Sequence, residues 1–256
     1  MSPDQIGFVT LLKKEVMRFW AVLGQTVSAP VITALLYLLV FAQALQGRLV
    51  PGYDGITYTQ FLVPGLVMMT VIQNAFANTS SSLIQSKVMG NIVFTLMAPL
   101  SPLEWFGAYI LAALVRALLV AVAMLGTALV FVPLPVAEPL ALVGVFLLAG
   151  GSLAALGLIA GIWAQKFDHI AAFTNFLITP LSFLSGVFYS VHSLPKFWFT
   201  ASHLNPFFYM IDGFRYGFFG HADVPILQSL LWMSGFFIVC SGVALWMLMT
   251  GYRMRK

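Results

Sequence analysis

The chain holds one cysteine, Cys240, and only 8% of its 256 positions are Asp, Glu, Lys or Arg. A single thiol excludes an intramolecular disulfide and a cysteine metal cluster. Set among Phe237, Ile238, Val239 and Val243, it reads as an inert packed side chain. So little charge, against about 25% in soluble domains, excludes a surface that could face water. Signatures of nucleotide and hydrolase chemistry are missing too. There is no G-x-x-x-x-G-K-[ST] phosphate loop, no G-x-S-x-G elbow and no H-E-x-x-H helix. His169, His192, His203 and His221 are scattered without ligand spacing, so neither a metal nor a catalytic residue is expected. The net charge of +4 gathers at the ends of apolar runs, not in a basic patch laced with aromatics, which argues against nucleic acid. Asp4, Lys13, Lys14, Glu15 and Arg18 interrupt the amino-terminal stretch, so no cleaved signal peptide is expected.

What the chain has is apolar length: 61% of its residues are hydrophobic. A spanning helix needs about 20 such residues. Six candidates run over 22–44, 61–84, 106–132, 140–164, 171–191 and 226–250, which predicts a single all-α integral membrane domain. No charge occurs between Arg18 and Arg48, between Asp54 and Lys87, or between Asp223 and Arg253. Basic residues alternate between the connecting segments. Lys13, Lys14, Arg18, Lys87, Lys166, Arg253, Arg255 and Lys256 fall on one side; Arg48, Lys196 and Arg215 fall on the other. Basic loops resist translocation, so the richer side is predicted to be cytoplasmic. Both termini then lie there, which needs an even number of spans.

Three segments depart from simple spans. Residues 4–20 are amphipathic at helical spacing, with Phe8, Val9, Leu12, Val16, Phe19 and Trp20 in one stripe and Thr10, Lys14 and Arg18 opposite. That pattern predicts a helix lying along the membrane with its basic face toward water and lipid phosphates. Residues 86–102 hold Gly90, Asn91, Pro99 and Pro102, which predicts a short helix, a turn and a return to the membrane. Residues 193–222 are apolar but broken at Pro195 and Pro206, because proline removes a backbone donor and clashes with the preceding turn. Irregular backbone at membrane depth must be packed in protein or line a cavity. Asp212 and Arg215 lie there three residues apart, a spacing that predicts a local ion pair. Arg116 stands alone in the third span, where an arginine costs about 2.5–3.5 kcal/mol on insertion scales. It either snorkels to the headgroups or faces the bundle or a subunit interface. With no acidic residue in its span, its partner is expected to be a carbonyl or a lipid phosphate.

The order GVFYS (186–190), Leu194-Pro195, Asn205-Pro206 and Arg215-x-x-x-x-Gly220 resembles the end of type-2 ABC transporter permeases, the YadH-like group of bacterial inner-membrane exporters. The Leu96-x-x-Pro99-x-x-Pro102 cadence at 86–102 is similar to that family's cytoplasmic coupling helix, although Lys87 is the only charge in it. The resemblance implies six transmembrane helices, an amino-terminal interface helix and an extracytoplasmic re-entrant hairpin before the last span. It implies a homodimer with two copies of a separate cytoplasmic ATPase subunit, which would carry ATP and Mg while this chain binds no cofactor. Lys14, Arg18, Lys87, Gly90, Asn91 and Pro99 would then couple to the ATPase. Arg116, Tyr189, Pro195, Asn205, Pro206, Asp212, Arg215 and Gly220 would line the pathway or its gate. The substrate would be a lipid, a glycolipid or polysaccharide, or a drug-like molecule moved outward. Two rival readings are an ion-coupled carrier, which should show carboxylates within spans, and a lipid-modifying membrane enzyme, which should gather polar groups at one depth. Neither mark is expected, and no inverted repeat is visible.

Overall fold

A computed structural model describes residues 3–45, 48–53 and 55–254. Asp54, Arg255 and Lys256, used in the charge reading above, lie outside the described residues. The chain forms helices α1 (Pro3–Trp20), α2 (Leu23–Ala44), α3 (Tyr58–Val88), α4 (Ile92–Met97), α5 (Pro102–Leu129), α6 (Pro139–Trp163), α7 (Phe167–Phe173), α8 (Thr179–Phe183), α9 (Lys196–His203), α10 (Pro206–Phe219) and α11 (Ile226–Thr250). Their ends are written in the local sequence. Thr57 with Gln60, and Ser101 with Glu104, form reciprocal capping boxes that satisfy the first free N–H groups of α3 and α5. Gly220 and Gly251 end α10 and α11 with φ of 65°, a conformation other residues adopt at a cost.

Helix α3 is the central post, buried along most of its length between α5 and α6. It can come close to α6 because α6 presents glycine where the two cross. A Cβ on Gly157 would overlap Thr79 and the carbonyl of Phe76, and one on Gly161 would come within 2.8 Å of Leu83. Small residues at such spacing let backbones approach where lipid supplies no hydrophobic drive. The approach also lets the Thr79 hydroxyl donate across the crossing to the Ala154 carbonyl at 2.8 Å. Helix α10 packs on α6 in the same way, with Gly217 against Leu142 and Gly213 against Val145.

Among the described residues five helices, α2, α3, α5, α6 and α11, are long and apolar enough to cross a membrane. The segment expected to span 171–191 as one helix is built differently. It runs as α7, a π-helical turn over Thr174–Ile178 and then α8, and it ends at Phe183. Beyond it Gly186 takes φ +75°, with the carbonyl of Tyr189 only 3.3 Å from where a Cβ would sit. The hydropathy of 184–190 belongs to a packed turn, not to helix.

Helix α1 also differs from its expected face. Leu11, Glu15 and Phe19 are buried, whereas Val9 and Trp20, placed in the apolar stripe, are 44% and 57% exposed. Arg18 points inward, away from water. Hydropathy ranks Glu15 and Arg18 as outward residues; polar partners on α3 draw them in.

Loops sort to two ends of the bundle. At one end the Lys87 ammonium donates to the carbonyls of Ile162 and Ala164, and Arg253 donates to that of Trp163 at 3.1 Å. These two cations cap the carboxyl end of α6. At the other end the turn after α5 meets α10, with the N–H groups of Ala137 and Glu138 donating to Phe218 and Gly217.

Candidate functional site

Polar residues run along α3 through its middle, from Thr70 and Gln73-Asn74 to Asn78-Thr79-Ser80-Ser81-Ser82. Spacing of three and four brings Asn74, Asn78 and Ser81 onto one side of the helix. Arg18 of α1 reaches that side. Its Nη2 donates to the carbonyl and the side-chain oxygen of Asn78 at 2.8 and 2.9 Å, and its Nη1 donates to Ser81 at 3.4 Å. Its Nε donates to Glu15 Oε2 at 3.3 Å, and that oxygen also accepts the Ser82 hydroxyl at 2.6 Å. Glu15 Oε1 lies 3.4 Å from Lys14 Nζ, an ion-pair distance without hydrogen-bond geometry. About one turn farther along α3, Arg116 of α5 donates through Nε and Nη2 to Asn74 Oδ1 at 3.3 and 3.1 Å. Asn74 and Arg116 sit near the midpoints of their helices.

This track refines one expectation and corrects another. The partner of Arg116 is a carbonyl, that of the Asn74 side-chain amide. Polar groups do gather within the bundle, contrary to the expectation used against an enzyme. The Ser82–Glu15 pair could suggest a nucleophile and a base, but both side chains are sealed from their surroundings and no substrate carbonyl could reach them.

The second polar site lies toward the opposite end, around α10. Asn205 caps that helix through Phe207 N–H and ties it to the Leu181 carbonyl at 2.7 Å; Pro206 opens it in the position where a missing N–H costs nothing. Asp212 and Arg215 are both fully buried, and they do not pair with each other. Asp212 accepts from the N–H groups of Asp223 and Val224 at 2.8 and 3.1 Å and from the Tyr53 hydroxyl at 3.4 Å. Two backbone donors and one hydroxyl thus replace the water that its carboxylate loses on burial. Burial pushes the Tyr53 phenol above its ordinary range. Arg215 Nη2 donates to the carbonyls of Gly186 and Val187 at 2.7 and 2.9 Å, its Nε donates to that of Phe61 at 3.4 Å, and its guanidinium lies 3.6 Å above the Phe61 ring. The expected ion pair fails because each charge finds fixed backbone partners on a different element.

Other expected residues are dispersed. Gly90, Asn91 and Pro99 are exposed around α4, with Gly90 at φ +75°. Lys87 is engaged in capping α6, as described above, and Lys14 is half exposed. Tyr189 lies in the turn whose Gly186 and Val187 carbonyls hold Arg215, Pro195 caps α9, and Gly220 closes α10. Reading the sequence missed Glu15, Asn74, Asn78, Ser82, Tyr53 and Asp223. The dense polar run of α3, inside an otherwise apolar span, was the signal for three of them. Asp223, which accepts from Ser190 and Val191 N–H at 3.2 and 3.4 Å, had none.

Relatives extend over most of this architecture. The chain is 37% identical over 239 residues to the inner membrane transport permease YadH of Escherichia coli K12, an alignment covering 92% of this chain and 93% of that protein. It is 28% identical over 183 residues to nodulation protein J of Sinorhizobium fredii NGR234, covering 66% of this chain and 65% of that one. The pattern described as ABC-2 type transporter matches residues 7–219, from the first helix through α10. With that match covering most of the chain, including Arg18, Asn78, Arg116, Asp212 and Arg215, the chain belongs to the ABC-2 type transporter family.

Proposed function

We propose that the chain is the membrane-spanning permease subunit of an exporter driven by ATP hydrolysed on a separate cytoplasmic subunit. In this reading two permease copies and two ATPase copies assemble in the bacterial inner membrane, ATP and Mg reside on the ATPase, and this chain binds no cofactor. The inner-membrane setting follows the name of the relative YadH. The sixth crossing is the α7–α8 segment, Phe167–Phe183, which at 1.5 Å per residue is about 25 Å long. The bundle end that gathers Lys14, Lys87, Lys166 and Arg253 faces the cytoplasm with both termini. Helices α9 and α10 then enter from outside and return, and α10 runs antiparallel to α11, with Tyr209 stacked on Trp232 at 5.3 Å.

The observation that carries this reading is the bond set joining Arg18 and Glu15 of α1 to Asn78 and Ser82 of α3. It ties a helix at the cytoplasmic end to the polar side of the central span, so displacement of one must displace the other. Beside it α4 leaves Val93, Phe94 and Met97 exposed, an apolar tip suited to a cleft in a motor domain. Nucleotide-driven closure of the ATPases would rock α1 and α4 and open a path along α3. A decisive switch between two such states, from 1:99 to 99:1, needs a bias of about 5.5 kcal/mol.

Gly90 tests the reading. Its φ of +75° is closed to proline, whose ring holds φ near −65°. Gly90→Pro should leave membrane insertion intact and separate ATP hydrolysis from transport in the reconstituted complex. Normal coupled transport by that variant would reduce α4 to an ordinary connection. Purified chain without an ATPase should neither bind nor hydrolyse ATP; tight ATP binding would overturn the assignment.

A further inference from the structure

Arg116 is a cation near the middle of the bundle without a counter-charge. Nε and Nη2 both lean on one neutral oxygen, Asn74 Oδ1, and among the described residues Arg116 forms no ion pair. Nη1 has no partner in the described chain. Unlike Nη1 of Arg215, it is not sealed from its surroundings. One turn away Arg18 already shares the carboxylate of Glu15 with Lys14. Glu15 is thus shared between two cations and leaves no counter-charge for Arg116.

Buried charges in proteins are paired, and an unpaired one inside a bilayer is costly. A second copy of this chain cannot supply the pair at that depth, because the crossings α2, α3, α5, α6, α7–α8 and α11 carry no acidic residue except Glu104 and Asp168, each in the first turn of its helix. The missing negative charge must come on a ligand. The surroundings indicate what else that ligand carries. On α3, Thr70 and Gln73 next to Asn74 are partly exposed and polar, while α5 exposes Leu111, Val115 and Leu118 on the turns around Arg116. A headgroup with oxyanion chemistry fits the first strip and an alkyl chain fits the second.

We infer that Arg116, oriented by Asn74, binds the phosphate or carboxylate headgroup of an anionic amphiphile, and that this is the substrate class of the exporter. The inference rests on reading the α3 side as the pathway. A guanidinium suits the task because its planar donors can hold two oxygens of one anion. Asn74 is a positioning residue: it fixes the guanidinium through Nε and Nη2 and leaves Nη1 for the ligand.

The test uses a fluorescently labelled dodecyl phosphate. It is titrated onto the purified permease in neutral maltoside detergent, then offered to the permease–ATPase complex in proteoliposomes with ATP. Arg116→Gln should weaken binding by at least about tenfold, with Arg116→Lys in between. Asn74→Asp should weaken it comparably, since it supplies an internal carboxylate that quenches the charge yet keeps the guanidinium in place. A merely structural Arg116 would be preserved by that change. Equal binding by all variants, or equal binding of the trimethylammonium analogue, overturns the anion site. Displacement by inorganic phosphate at matching concentration overturns the need for an alkyl chain. Arg116-dependent binding that phosphatidylglycerol abolishes, with no ATP-driven movement of the probe, makes this a site for bilayer lipid and overturns the substrate class. A separate readout protects the distinction between the two readings: accessibility of cysteines placed at Gln73 and Ala77. If nucleotide on the ATPase leaves it unchanged while Arg116 still binds the probe, the pathway reading fails and the anion site stands.

Discussion

The two polar sites of this bundle use the same chemistry to opposite ends. Around α10 the charges are met by backbone: Asp212 by two N–H groups, Arg215 by three carbonyls and a ring face. Along α3 they are met mainly by side chains: Arg18 by those of Asn78, Ser81 and Glu15 with one backbone carbonyl, that of Asn78, and Arg116 by Asn74 alone, with Arg18 and Arg116 only partly buried. Backbone partners are immobile once their helices and turns form, so the α10 site is a clamp. Side-chain partners can change rotamer and leave donors free, so the α3 site can exchange partners. A charge inside a membrane protein does not by itself mark a pathway; what satisfies it does.

The largest expected effect comes from breaking the clamp. Arg215→Ala should strip three carbonyls of their donor and empty the space over Phe61, at a cost of about 1–3 kcal/mol for each carbonyl left buried without a partner. Thermal unfolding of purified protein in detergent should show it as a large drop in Tm or a failure to accumulate. Arg215→Lys should not rescue it, because one ammonium cannot meet carbonyls on two elements and cover the ring. A wild-type Tm for the alanine variant would place Arg215 with the exchangeable charges and erase the contrast.

Next in size is Gly65, the α3 residue that makes room for the clamp. A Cβ there would stand 2.8 Å from Arg215 Nη2 and 3.0 Å from the Val187 carbonyl. Gly65→Ala should cost about 1–3 kcal/mol through overpacking, read in the same unfolding measurement. The α6 site Gly144, where nothing lies within 4 Å, is the matched control and should tolerate alanine. Equal behaviour of the two would mean that the clamp yields easily.

On the α3 side the expected signature is functional. Glu15→Gln keeps an acceptor for Ser82 but removes the charge beside Arg18, with a stability change of about 1 kcal/mol. Transport per ATP hydrolysed should fall more than Tm does. A fall in Tm with unchanged coupling would make the α1–α3 bonds a clamp of the first kind. Smallest of all should be His192→Ala. The ring is 53% exposed and lies 3.8 Å from Asp223, a geometry for which measured pair energies are about 0–1 kcal/mol. Asp223 retains Ser190 and Val191 N–H, so Tm should hardly move.

Much of the molecule was legible without coordinates. Apolar length determined that the chain lives in a membrane, and Asn205-Pro206 marked a break where α10 begins; the caps at Thr57 and Ser101 lengthen α3 and α5 beyond the apolar runs at 61–84 and 106–132. The proline-broken stretch before the last span announced that it could not be one helix. Which way a charged side chain turns was not written there. Arg18 faces inward only because Asn78 is brought to it from 60 residues away, and Asp212 and Arg215 part only because Tyr53, Phe61, Gly186 and Val224 converge on α10. Spacing along a helix determines which residues share a side. Long-range packing alone decides what stands opposite, since a buried charge settles wherever the fold supplies enough donors or acceptors to replace water.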